Sequence, residues 1–150
     1  MSQVNCREVV LLALSTQTTS GSSNDINLPQ GYTSAILTLQ VLTVSGTSPT
    51  LNVYVQNKLP QPAATDTTGG FPTGTAIYDD LLSFTQATTS STNFYFRIVG
   101  GGNSAGAVTT GTLTAGTAKS GPIGGTWKVA WVNGGTSPSF AFNVVAELIP

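Results

Sequence analysis

The chain has 150 residues with five Lys or Arg, six Asp or Glu, no histidine and a net charge of −1. Charged residues are 7% of it, against about 25% in an ordinary globular protein, and a phosphate-tracking surface needs a clustered basic face that this chain cannot build. Without histidine, the usual general base near neutral pH and the commonest metal ligand are missing, and no Ser-His-Asp or Cys-His pair can form within one chain.

Residues 1–30 read as an N-terminal arm ahead of a single domain at 31–150. Cys6 is the only cysteine, so no intrachain disulfide can form, and a lone thiol here reads as a small packing residue. Glu8 precedes the apolar run of Val9, Val10, Leu11, Leu12 and Leu14, which is shorter than a secretory h-region and lacks a basic flank. It is also far short of the roughly 20 apolar residues of a spanning helix, so no membrane segment is expected. The run suits an edge strand of the domain or a strap onto a neighbouring subunit. A Ser- and Thr-rich stretch at 15–24 follows, too polar to hold a core. Ile26 and Leu28 then alternate as a short strand.

The domain proper reads as successive strands of period-two hydrophobicity. Residues 34–44 put Leu37, Leu39 and Val41 on one face. Leu42 and Val44 fall on the other parity, which a bulge near Val41 or burial of both faces would explain. Residues 50–56 turn Leu51, Val53 and Val55 inward and Tyr54 outward. A Pro- and Gly-rich loop spans 58–75. Strands are expected at 76–86, at 93–99 with Phe94, Phe96 and Ile98 inward and Tyr95 outward, and at 108–113. Two more follow, at 126–132 with Trp127, Val129 and Trp131, and at 139–149 with Phe140, Phe142, Val144, Ala146 and Leu148.

Two copies of one tetrapeptide punctuate this pattern: Gly46-Thr47-Ser48-Pro49 and Gly135-Thr136-Ser137-Pro138. Each separates two alternating runs, which is how an antiparallel hairpin is written, and each proline fits the first residue of a strand. The resulting expectation is an all-β fold: an antiparallel β-sandwich with jelly-roll or Greek-key-like wiring and an extended N-terminal arm.

Four pieces in order carry a resemblance to a known group. They are the stretch 34–56 with its first Gly-Thr-Ser-Pro, the segment 80–87 (Asp80 to Ala87), the aromatic-Arg strand 94–99, and 127–144 with the second Gly-Thr-Ser-Pro. Together they cover roughly half of the chain and resemble tailed-bacteriophage virion proteins of the capsid decoration, or cement, type. The loop 58–75 is longer and richer in proline than that pattern, and 100–125 has no counterpart in it. The resemblance implies a protein made in the host cytoplasm that ends on the capsid surface of the virion. Its partner there would be the major capsid protein, and it would be a homo-oligomer, with a trimer favoured.

Other chemistry has little to stand on. Asp79 and Asp80 are the only adjacent carboxylates, and neighbours on a strand point to opposite faces, so they read as turn or edge residues and not as a glycosidase pair. Asp66, Asp79 and Asp80 are too scattered for a calcium loop, and the glycines at 100–106 precede no helix and no Lys-Ser/Thr. No catalytic residue, metal or cofactor is expected, and the protein reads as a non-enzyme. The candidate capsid or subunit contacts are Val9, Val10, Leu11, Leu12, Leu14, Tyr54 and Tyr95. The alternative function is a carbohydrate-binding or adhesive β-sandwich module on a phage tail or cell surface, which would show exposed aromatics in a row.

Overall fold

A computed structural model describes residues 5–60, 76–100, 106–119, 121 and 123–150. The chain is all-β, one antiparallel sheet with no helix among the described residues. Its strands are β1 (Arg7–Gln17), β2 (Gly21–Ser22), β3 (Ile26–Leu28), β4 (Ser34–Lys58), β5 (Tyr78–Ser83), β6 (Thr92–Val99), β7 (Thr117–Ala118) and β8 (Gly125–Ile149). The loop expected at 58–75 lies mostly outside the described residues.

The backbone of the fold is the β4–β8 ribbon, two strands of 25 residues paired from Ser34↔Ile149 to Asn57↔Trp127. Neither Gly-Thr-Ser-Pro is a hairpin turn, which corrects the reading of the sequence. The residues flanking each copy pair with the opposite strand and not with one another. The two copies lie side by side, with Ser45↔Ser139, Thr47↔Thr136 and Thr50↔Gly134 in register and the ladder shifted between them. Gly46, Ser48, Gly135 and Ser137 all have positive φ, at 117°, 48°, 98° and 49°. The repeat is therefore a pair of matched bulges that interrupts both strands at one level.

At that level the ribbon bends sharply. Trp131 and Phe142 lie eleven residues apart on β8, about 36 Å along a straight strand, yet their ring centroids are 5.9 Å apart. A second edge-on pair, Phe84 and Phe96 at 5.9 Å, connects the end of β5 to β6. One arm of the sheet runs β6–β4–β8–β1, using the N-terminal half of β4 and the C-terminal half of β8. The other uses the remaining halves and adds β5 with β7 on one side and β2 and β3 on the other.

The alternating residues form the core between these arms. Leu37, Leu39, Leu51, Val53, Val55, Trp127, Val129, Phe140, Phe142, Val144, Ala146 and Leu148 are all fully buried. Phe94 and Phe96 are half-buried at its margin. The irregularity after Val41 is a bulge, since the β8 register shifts between Val41 and Thr43 and Leu42 turns outward. Leu11 of β1 is buried in the same core.

One other expectation changes. Residues 108–113 form no strand; they lie across β5, and the short strand of this region is β7. Of the two readings of Val9 to Leu14, the edge strand of the domain is the one this fold forms. β1 pairs with β8 from Arg7↔Leu148 to Gln17↔Phe140, and β2 and β3 continue along β8. The crossing between β1 and β2 is fastened by Trp131 Nε1, which donates to the Thr19 carbonyl at 2.9 Å, and by Asn133 Nδ2, which donates to Gln17 O at 3.1 Å.

Candidate interaction surface

The outward residues of the β6–β4–β8–β1 arm fall into cross-strand rows. One row reads Arg97–Ile36–Glu147–Glu8 and the next reads Tyr95–Thr38–Val145–Val10. A third, from Asn93 through Gln40 to Asn143, completes a face of mixed polar and apolar character. Tyr95 is 76% exposed and Val10 51%, so large apolar groups stand in water at both ends of the middle row. Shallow depressions run over this face, one lined by Cys6, Glu8, Ile36, Thr38, Val145 and Glu147. The other extends to Val10 and Leu14.

The candidate contact residues are divided by the fold. Val10, Leu14 and Tyr95 are exposed and share this side of the sheet. Val9 and Leu12 pack partly against the core, and Leu11 is inside it. Tyr54 is 7% exposed, so it cannot meet a partner in this conformation. Its strand parity is outward, as the sequence indicates, but that side of β4 is covered. Burial raises the Tyr54 hydroxyl pKa above its ordinary value, and the Asp80 charge adds to the rise.

Near Tyr54 stand the adjacent carboxylates, which are neither turn residues nor free edge groups. Asp80 is fully buried. Its carboxylate accepts from Gln56 Nε2 at 2.7 Å and from the backbone N–H groups of Gly111, Thr112 and Leu113 at 2.9, 3.0 and 3.1 Å. Asp79 accepts from Thr109 N–H and from Lys119 Nζ, at 2.8 and 2.7 Å. Both acids thus hold one loop against β5, and four donors saturate the buried one, which leaves it no lone pair for chemistry. Sequence reasoning missed this role because the donors are backbone amides some thirty residues away.

A second polar cluster lies at the far end of the ribbon. Tyr78 donates its hydroxyl proton to Asp25 at 2.7 Å, Lys58 pairs with the same carboxylate at 3.1 Å, and the Lys128 ammonium sits 3.5 Å from the centre of the Tyr78 ring. The Tyr78 hydrogen bond and then Lys58 lower the Asp25 pKa, while the Asp25 partnership raises that of Lys58. Burial, with the Asp25 bond second, raises that of Tyr78. The cluster ties the entry to β3 to the ends of β4 and β5. No group of three or more metal-ligating acidic or cysteine side chains occurs among the described residues.

No protein family, curated protein or solved structure matches this chain.

Proposed function

We propose that the two arms of the bent sheet are the layers of a jelly-roll-like β-sandwich, and that the protein is a structural virion component. In this reading it binds the outer surface of a phage capsid and stabilises the shell by bridging neighbouring subunits of the major capsid protein. The observation that carries the reading is the outer face of β6–β4–β8–β1. It is an open platform with exposed Tyr95, Val10 and Leu14 set among Thr38, Gln40 and Asn143. Exposed apolar groups rimmed by hydrogen-bonding side chains suit a broad, wet protein contact. Binding the assembled lattice and not free subunits would stabilise the shell by mass action.

The platform also serves attachment better than catalysis. Its acids are Glu8 and Glu147, adjacent across one row on an open sheet face with no enclosing cleft, while Asp79 and Asp80 are engaged in holding a loop. For the carbohydrate-binding alternative, a row of exposed aromatics is the feature required. Tyr95 is the one exposed aromatic among the described residues, and both tryptophans are in the core.

The test is co-sedimentation of the purified protein with undecorated phage heads, comparing wild type with Tyr95→Glu and Val10→Glu. Each charge placed on the platform should reduce bound protein at least tenfold while leaving the melting temperature nearly unchanged. Wild-type protein that stays in the supernatant, or variants that bind as well as wild type, would contradict the reading. Deleting residues 1–24 is a poorer test, because it uncovers the β8 edge and takes Leu11 from the core.

A further inference from the structure

We infer that the free edges of β1 and β6 join separate copies of this chain head to tail, as one continuous antiparallel sheet. Among the described residues β1 pairs only with β8 and β6 only with β4, so each presents an unpaired row of backbone N–H and C=O groups. Such edges are normally blunted by Pro, by charged side chains, by bulges or by a covering segment. Neither strand contains Pro or Lys, β1 is regular from Arg7 to Val10 ahead of its two bulges, and both strands carry exposed apolar residues, Val10 and Leu14 on β1 and Tyr95 and Val99 on β6.

The order of the four strands fixes the polarity. Each neighbour in β6–β4–β8–β1 is antiparallel to the last, so β1 of one copy beside β6 of the next continues the alternation. Charge then selects a register. Glu8 and Glu147 are directly opposite one another on adjacent strands, a like-charge pair that costs stability. At the other end of their row stands exposed Arg97. Among the described residues, none of the three makes a salt bridge within the chain. Setting Arg97 of the next copy beside Glu8 supplies the missing cation. The same register sets Tyr95 beside Val10, an aromatic against a β-branched residue, and Val99 beside Cys6. Because two different edges meet, the contact is heterologous and generates a ring if the rotation closes, or a filament if it does not.

Cys6 provides a direct test, since it is the only cysteine and is exposed. Within one copy β1 and β6 are three strand spacings apart, about 14 Å, too far for a disulfide, which needs Cα atoms within about 7 Å. Wild-type protein, which carries Cys6 alone, is mixed with a size-tagged Cys6→Ser/Val99→Cys chain and oxidised. The expected product is the mixed disulfide, several-fold more abundant than with Cys6→Ser/Asn93→Cys, whose thiol lies about 20 Å further along the edge. Equal yields from the two tagged chains, or homodisulfides alone, would overturn the pairing.

Charge exchange gives an independent measurement by sedimentation velocity. Arg97→Glu or Glu8→Arg alone should shift the protein to monomer, and the double variant should restore the assembly. A wild-type protein that sediments as a monomer at all concentrations, or a double variant that stays dissociated, would also overturn it. These readouts use isolated protein without capsids, so self-pairing is read whether or not the platform attaches to a shell.

Discussion

Gly135 lies so close to Ser48 across the ribbon that a Cβ on the glycine would stand 2.5 Å from the Ser48 carbonyl oxygen. The relation is reciprocal, because a Cβ on Gly46 would stand 2.8 Å from the carbonyl oxygen of Ser137. The two copies of the tetrapeptide thus interlock through the one residue type that allows the backbones to approach, and both glycines have positive φ. Gly135→Ala or Gly46→Ala should cost about 1–2 kcal/mol from the left-handed backbone, with the steric contact adding to it. Chemical denaturation checks this. A change below about 0.5 kcal/mol, the range of an ordinary surface substitution, would mean the corner is slack.

The two tryptophans should respond differently to the same replacement. Trp127 is fully buried and its Nε1 has no hydrogen-bond partner among the described residues. Trp131 Nε1 holds the Thr19 carbonyl. Trp127→Phe loses packing but also removes an unsatisfied donor, whereas Trp131→Phe loses packing and a bond. Trp131→Phe should therefore be the costlier by about 1 kcal/mol or more, and hydrogen exchange should rise at Ser20 to Ser22. Equal costs would contradict the assignment.

Asp80→Ala should loosen the segment from Gly111 to Leu113. The substitution strips partners from three partly buried backbone N–H groups, which water can reach, and from buried Gln56, whose unsatisfied amide costs about 1–3 kcal/mol before relaxation. Faster amide exchange at Gly111, Thr112 and Leu113, with core strands still protected, is the expected result. Unchanged exchange there would show that the loop is held by other contacts.

The Asp25 cluster predicts a particular pH dependence. Its folded pKa lies below the ordinary 3.8, so its contribution is complete above that value and is lost as pH falls through the lowered one. Lys58 and Tyr78 are shifted upward, so their contributions hold below their ordinary 10.5 and 10.0 and are lost as pH rises through the folded values. All of these groups are near the surface, so the effect is modest and screened by salt. Asp25→Asn should lower the melting temperature by a few degrees at most at pH 7, and the gap to wild type should close below pH 3.8. A gap that persists at acid pH would rule out the carboxylate as its source.

Much of the fold was legible because alternation is a local property. Leu51, Val53 and Val55, or Phe140, Phe142 and Val144, declare a buried face without reference to any other strand. The corner was not, because Gly, Ser and Pro signal a hairpin and a bulged bend with the same residues. Which one forms depends on what lies across the sheet, here a second copy ninety residues later. Tyr54 failed for a similar reason: its parity is outward, but its neighbours in the fold bury it. Of the platform, Val10, Leu14 and Tyr95 could be nominated from sequence. The rows that align Arg97 with Glu147 and Glu8 emerge only once the strand order is known.

The central claim, attachment to a capsid through the β6–β4–β8–β1 face, is tested most directly by electron cryo-microscopy of phage heads with and without the protein. Added density is expected on the outer shell at contacts between capsid subunits, with Tyr95 and Val10 turned toward the lattice. Identical maps, or density that attaches through the loop held by Asp79 and Asp80, would contradict it.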